Sequence, residues 1–506
     1  MQALGLGEKF RESLTRLEMG VPLVGDELRV VAEDVPAAIA KFGRAEFLEL
    51  MEGADVAAVA VLRPGEGFDD PQVEFNQLIV EVDDPDLGRL QQVGPPIRLS
   101  ATPAGVRGAA PAVGAHTETL RRQAAAVSRR QTATAPHPTH VLAGLKVIDL
   151  GQYFAGPFGP RMLSDLGAEV IKVESPAGDP MRPLLSVFEA AQRGKRSLAI
   201  DLKTDYGRAV VHRLVAGADV VAHNFRPGVA ERLGVGPADL RPGNPALVYC
   251  ANHGWGSTGP KAHLQSFAPL LQGFSGLSVM AAGEGNPPVT IGPNEDYYNA
   301  MLGAIGILMA LVSRRQTGVG QVVESPQVNS CLFAVTHVMR DATGSIVPTP
   351  SLAGDRRGFD AFTRIYPTAA GWLGVACQTE AQRAALVGAV GVPAADDDNA
   401  GLILALERRL RARPATEWFA QLTAAGVACE VAADRSYLTG QLWEDRRHRG
   451  LGRVVTQQHP EGGTISEIAT LIHYSRSAIP PRGPAPTLGE HSEVILSELG
   501  MSAPVP

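Results

Sequence analysis

Three observations predict a doubly wound α/β fold for this chain. From residue 146 onward, apolar runs of strand length alternate with segments long enough for a helix. A turn with three glycines, Gly151-Gln-Tyr-Phe-Ala-Gly156-Pro-Phe-Gly159, joins the first of these strands to the first helix. The chain has 506 residues, 45% of them apolar and 20% charged. That is enough for large cores and about three domains of roughly 150 residues each.

The elements follow in order. Residues 146–150 (KVIDL) read as a buried strand, 161–166 as a helix and 169–173 as the next strand. The alternation continues with a strand at 197–200, a helix at 204–214, and strands at 219–225 and 246–251. Strands separated by helices argue for a parallel sheet. A second α/β portion runs from about residue 270 to the end. The first 140 residues lack this punctuation. They offer a helix-like stretch at 37–51 and strand-like pieces at 56–62 and 78–82, then a linker of small residues, Arg and Pro at 124–139.

An internal repeat is visible. Ala45-Glu46-Phe47 leading to Ala54-Asp55-Val56 matches Thr416-Glu417-Trp418 leading to Ala425-Gly426-Val427, 371 positions on. Ala110-Pro111 through Gly114-Ala115-His116 matches Ala485-Pro486 through Gly489-Glu490-His491, 375 positions on. No counterpart of KVIDL or its turn precedes residue 140, so the first copy is headless. The expected domains are 1–122 as a partial copy, 123–142 as a linker and 143–506 as a complete copy. The partial copy is expected to form a small α/β subdomain of its own, packed against the complete copy or a partner chain.

Composition narrows the function. Lys plus Arg number 46 against 53 Asp plus Glu, a net charge of −7, which does not suit a nucleic-acid coat. Four scattered cysteines give neither a disulfide framework nor a zinc spacing, so no metal is expected. The longest apolar run, 300–312, is too short for a bilayer, and no signal segment opens the chain, which predicts a cytoplasmic protein with no membrane partner.

The glycine turn lacks both the GxGxxG spacing and the GK[ST] of a phosphate loop, and Glu174 lies too close to it for a ribose-binding acid. What remains is a crevice at strand carboxyl ends that suits a nucleotide-containing ligand. Asp179 to Arg182 and Arg193 to Arg196 bring basic groups near it, although such runs are often solvated loops. Asn224-Phe225-Arg226-Pro227-Gly228 ends a strand and opens a helix, where backbone N–H groups face an anion. Arg226 or Arg232 could meet a phosphate there. Asp296 precedes an apolar helix with Gly303 and Gly306 at close-packing spacing. An acid at a helix start is favoured by the dipole alone, yet the position also suits a nucleophilic carboxylate on a rigid support. His253 and His263 are scattered, and His116 and His491 fall just before helices, where they read as caps. No Gx[SC]xG turn suggests a hydrolase.

These blocks together resemble the family III CoA-transferases, the CaiB/BaiF group. The likeness runs through Gly144 to Leu150, Ala155-Gly156-Pro157, Leu166 to Glu174 and Gly178-Asp179. It continues in Arg193 to Ser197, Asp201 to Lys203, Asn224 to Gly228, Arg232-Leu-Gly234, Gly254 to Pro260 and Thr317 to Val322. Asp70 to Val73, Pro95 to Ser100 and Gly114 to His116 are similar to the family's C-terminal part.

The resemblance implies a CoA-binding domain built from both ends of the complete copy (its first part about 143–255), with a smaller α/β domain between. It implies transfer of CoA from an acyl-CoA thioester to a carboxylic acid through an aspartyl anhydride at Asp296. CoA contacts carry over to Ala155, Ser175, Ile200, Asp201, Leu202, Lys203, Asn224, Phe225, Arg226 and Arg232. CoA would be a substrate, with no permanently bound cofactor and an interlocked homodimer as the assembly. Where the family commonly has an acid, this chain has Phe267-Ala268. Neither can serve as that acid or as the proton-transfer His of the racemase branch, which counts against a racemase-type proton transfer. That reading stands as an alternative because Asp296 and Glu380 are present. A non-catalytic subunit, favoured by Ala268 and the headless copy, is the other.

Overall fold

The computed structural model describes residues 2–6, 26–124, 139–292, 294–393, 398–432, 441–470, 472, 474–477 and 483–502. Most of the expected linker, 125–138, lies outside them. Packing divides the chain into two units. The first is 1–276, 291–347 and 455–506; the second is 277–290 and 348–454. This division follows contacts, whereas the 1–122, 123–142 and 143–506 partition follows sequence likeness.

In the first unit, an antiparallel hairpin of β1 (Ile79–Asp84) and β2 (Gly88–Val93) leads to the short strand β3 (Arg98–Leu99). Then come β4 (Lys146–Asp149), β5 (Glu169–Glu174), β6 (Arg196–Ala199), β7 (Val220–His223), β8 (Val248–Ala251) and β9 (Val322–Glu324). They form one sheet in the order β3-β9-β8-β7-β4-β5-β6, parallel except for β3 against β9. The order reverses between β4 and β7, so loops at their carboxyl ends diverge and leave a crevice.

Most residues of these strands are apolar because both faces are covered. Ile148, Ile171, Leu198 and Val221 pack on one side with the helices Asp205–Ala216 and Ser492–Glu498. Val147, Val170, Val220 and Val248 pack on the other with Phe158–Asp165 and Asn294–Thr317. The last helix has the length and apolarity to cross a membrane, longer than the 300–312 run suggested. Here it is a core helix on one side, with Ala300, Ala304, Ile307 and Ala310 buried. Two glycines permit the contact. A Cβ on Gly303 would lie 2.7 Å from the Asn252 side chain, and one on Gly306 2.5 Å from Val323.

The N-terminal stretch does not form a subdomain of its own. Its β3 extends the central sheet, and β10 (Arg340–Asp341) pairs with β2. The expected helix at 37–51 is two helices, Val35–Ile39 and Arg44–Gly53, separated by an extended Gly43. The expected strand at 56–62 is irregular. A strand needs a partner. The second unit shows one: β11 (Thr363–Pro367), β12 (Trp372–Ala376) and β13 (Cys429–Ala432) pair in order, covered by Glu380–Val390, Asn399–Leu410 and Ala415–Ala424. Position for position, 371 residues earlier, β12 corresponds to residues 1–5, where Gln2–Leu4 make one 3₁₀ turn. Without a partner strand, 58–61 stays loop.

Elsewhere the two stretches repeat each other. Asp70 caps Pro71–Phe75, and Asp445 caps Arg446–Gly450. The β1–β2 hairpin is matched, 375 residues on, by β14 (Val454–His459) and β15 (Gly463–Ile468).

Candidate active site

Asp296 sits in the first turn of Asn294–Thr317 and opens into a cavity of about 380 Å³. The cavity lies outside the carboxyl ends of β4, β7 and β8, as the strand order requires. Its wall includes Tyr153, Phe154, Ala155, Met181, Phe225 and Leu264, with Phe267 across from Tyr153 edge to face. Gln327 donates from Nε2 to Asp296 Oδ1 at 2.7 Å, and its own Oε1 accepts from Ser266 Oγ at 2.5 Å. No described residue hydrogen-bonds Asp296 Oδ2. Burial, then the neighbouring Glu295 charge, push the Asp296 carboxyl up to about 6, against the pull of the Gln327 bond. It is thus ionised at neutral pH, but only just, and poorly solvated.

Asn299, one turn further along, is buried on the same cavity and donates to Ser325 O and Ser330 Oγ. Behind it, buried Glu295 accepts from Gln272 Nε2 at 2.5 Å. These contacts fix the first turn, so Asp296 is presented without a mobile stem.

The glycine turn is held from beneath by two buried lysines. Lys172 Nζ donates to Gly151 O and to Asp179. Lys195 Nζ donates to Asp149 at 2.7 Å, Pro157 O at 2.8 Å and Gln192 at 2.7 Å. Burial depresses the Lys195 ammonium to about 8, while the surrounding acid charges outweigh burial at Lys172 and hold it high. From the other side, Asn224 clasps Gln152 through both amide atoms, at 2.8 and 2.9 Å. A Cβ on Gly156 would meet Asn224 Cγ at 2.5 Å, which is why that position is glycine. Tyr153, at φ +61°, turns the loop over the cavity.

Of the residues singled out from the sequence, Ala155, Asn224, Phe225, Arg226 and Asp296 meet at this cavity. Ser175, Ile200, Asp201, Leu202, Lys203 and Arg232 are not in its lining. Ser175 follows β5 and 200–203 follow β6, at the same edge of the sheet, while Arg232 is exposed at the end of Val229–Arg232. The basic run 193–196 is structural: Arg193 pairs with Asp165, Lys195 with Asp149, and Arg196 with Glu169 and Glu498. Arg182 pairs with Glu174. His491 does not cap its helix; its Nδ1 accepts from Ser197 N at 3.3 Å. Ala268 is buried and Phe267 carries no proton-transfer group, so neither replaces the missing acid. Among the described residues no cluster of His, Cys, Asp and Glu could hold a metal ion. Sequence reasoning missed Gln327, Ser266 and Asn299; a local sign existed only for Gln327, among the polar residues that follow β9.

The family model of CoA-transferase family III matches residues 11–117 and 142–492. The chain belongs to that family. It is 30% identical to the succinate–glutarate CoA-transferase of Agrobacterium fabrum, over 72% of this chain and 97% of that protein. It is 31% identical to the probable fatty acyl-CoA transferase Rv3272 of Mycobacterium tuberculosis, over 71% and 98%. A crystal structure of a CaiB/BaiF family protein from Brucella suis superposes with a TM-score of 0.63 at 28% identity, covering 72% of this chain and all of that one. The family III enzyme described here is therefore a CoA-transferase of mixed α/β architecture around a largely parallel sheet.

Proposed function

We propose that this CoA-transferase moves CoA from an acyl-CoA to a carboxylic acid by covalent catalysis at Asp296. The observation that carries this is a half-buried carboxylate, fixed through Oδ1 by Gln327 and free at Oδ2, at the mouth of a mostly apolar cavity. Oδ2 attacks the thioester carbonyl, the C–S bond breaks, and CoA thiolate leaves behind an acyl–aspartyl anhydride. The thiolate then attacks the aspartyl carbonyl, releasing the first acid and leaving aspartyl-CoA thioester. The incoming carboxylate repeats the sequence in reverse, regenerating Asp296. A carboxylate is a weak nucleophile, and desolvation strengthens it.

CoA is held, in this reading, along the strand carboxyl ends by Ala155, Ser175, Ile200 to Lys203, the backbone of the Asn224–Arg226 turn and Arg232, the Arg226 guanidinium being engaged by Asp55. No permanently bound cofactor is required. The working form, in the same reading, is an interlocked homodimer in the cytoplasm. Supporting a dimer, Tyr298, Met301, Ile305, Met309 and Val312 lie exposed along one face of the Asp296 helix, an apolar strip that a partner chain could cover. The duplication of a C-terminal stretch ahead of a complete copy is also part of this proposal. It is supported by the matched caps and hairpins at 70–93 and 445–468.

The test is exchange of labelled CoA into acyl-CoA with no acceptor acid present, followed across pH. Exchange is expected, with an acid limb near pH 6, because protonating Asp296 removes the nucleophile. Exchange that depends wholly on an acceptor acid, with no loss down to pH 5, would refute the covalent route.

A further inference from the structure

In the N-terminal stretch, Asp55 bonds two residues of the cavity wall, Arg226 and Gln265. Asp55 follows the helix Arg44–Gly53 at a backbone φ of +50°. At the matching place in the second stretch, Gly426 follows Ala415–Ala424 at φ +80°. Glycine is the ordinary occupant of this left-handed conformation, and aspartate is one of the few residues that tolerate it. The first stretch therefore carries a charge where its counterpart carries none.

That charge is engaged. Arg226 Nη1 donates to Asp55 Oδ1 at 3.0 Å and Nη2 to Oδ2 at 3.3 Å, a two-pronged pair. Gln265, also on the cavity wall, donates to the Asp55 carbonyl at 2.8 Å. Among the described residues that line the cavity, Arg226 is the one cation. An acyl group bearing a second carboxylate would have to leave water with no free counter-charge, beside anionic Asp296, or displace Asp55. A terminal methyl carries no charge to desolvate, and Phe225, Pro227 and Leu264 offer it apolar wall.

We propose that Asp55, contributed by the N-terminal stretch, reserves this cavity for acyl groups without a second carboxylate by occupying Arg226. The proposal rests on Asp296 being the site of thioester attack. Both partners are partly exposed, so the contribution of Asp55 itself is modest.

The experiment compares pentanoyl-CoA with glutaryl-CoA, which differ in a terminal methyl against a terminal carboxylate, with acetate as common acceptor and the full-length protein. The wild type is expected to favour pentanoyl-CoA by at least about tenfold in kcat/KM. Asp55→Gly, which reproduces the residue at 426, and Asp55→Asn, which keeps the backbone tolerance, should each reduce that ratio about three- to fivefold. An unchanged ratio in both variants, or equal use of the two thioesters by the wild type, would overturn the proposal. So would equal gains for both thioesters and for free CoA, which would put CoA phosphates at Arg226. Absence of exchange with any thioester would instead remove the transferase reading, and this proposal with it.

Discussion

The hairpins β1–β2 and β14–β15 are built alike, each entered through an Asp-capped helix, yet each is held to the first unit by a different chemistry. The first docks through apolar residues and neutral amides. Leu78, Val82, Leu90 and Val93 are buried, and Asn76 bridges Trp255 O and Asn329 at 2.9 and 3.0 Å. The second docks through buried charge. Arg193 binds Asp165 and Glu467 at 3.0 and 2.8 Å, and His459 lies 3.3 Å from Glu189. One sequence pattern can thus serve two places in a fold. The pattern builds the element, and a few polar residues choose where it binds.

Neither stretch supplies a described lining residue to the Asp296 cavity, so the largest effect belongs to neither. Asp296→Asn keeps the shape and removes the anionic nucleophile. Turnover is expected to fall by about three orders of magnitude or more, while calorimetric CoA affinity is retained. An Asn variant with near-normal turnover would leave the comparison without a centre.

The next pair sets the two docking modes against each other. Arg193→Met removes the cation paired with largely buried Glu467 and one of the two paired with buried Asp165, which should cost about 3–5 kcal/mol in denaturant unfolding. Asn76→Ala removes only amide contacts and should cost about 1–3 kcal/mol. Equal costs would mean that the charges at the second hairpin add nothing.

The two modes also respond differently to pH. Burial raises Glu189 and Glu467 to about 7, so the folded protein holds protons that the unfolded chain releases. Stability from these groups is greatest below their ordinary range and declines as pH rises to about 7. Hydrogen exchange in 454–468, corrected for its intrinsic rate, should be faster at pH 7.5 than at pH 5.5, with no such change in 79–93. Glu189→Gln should flatten the difference.

The smallest effect is at the caps. Asp445→Ala should cost about 1 kcal/mol. Asp70→Ala should cost more, since Asp70 also pairs with Lys261. Equal thermal shifts would remove that distinction.

The central sheet was legible because parallel strands covered on both faces read as near-continuous apolar runs, as in KVIDL at 146–150. Asp296 was legible because a helix start is a local signal. The strand expected at 56–62 failed for want of a partner strand, which no local pattern can report. The charges at 193–196 were misplaced for a similar reason: their acids lie on other elements, at Asp149, Asp165, Glu169 and Glu498. Gln327 and Asp55 meet the site only through contacts with residues distant in the chain, Asp296 and Arg226. Such pairings belong to the fold, not to the local sequence.

The most direct test of the covalent claim is peptide-mapped mass spectrometry of the protein quenched during incubation with pentanoyl-CoA. The account predicts an acyl or CoA adduct on the peptide bearing Asp296, absent in Asp296→Asn. An adduct on another residue, or steady turnover by a protein that never carries one, would contradict it.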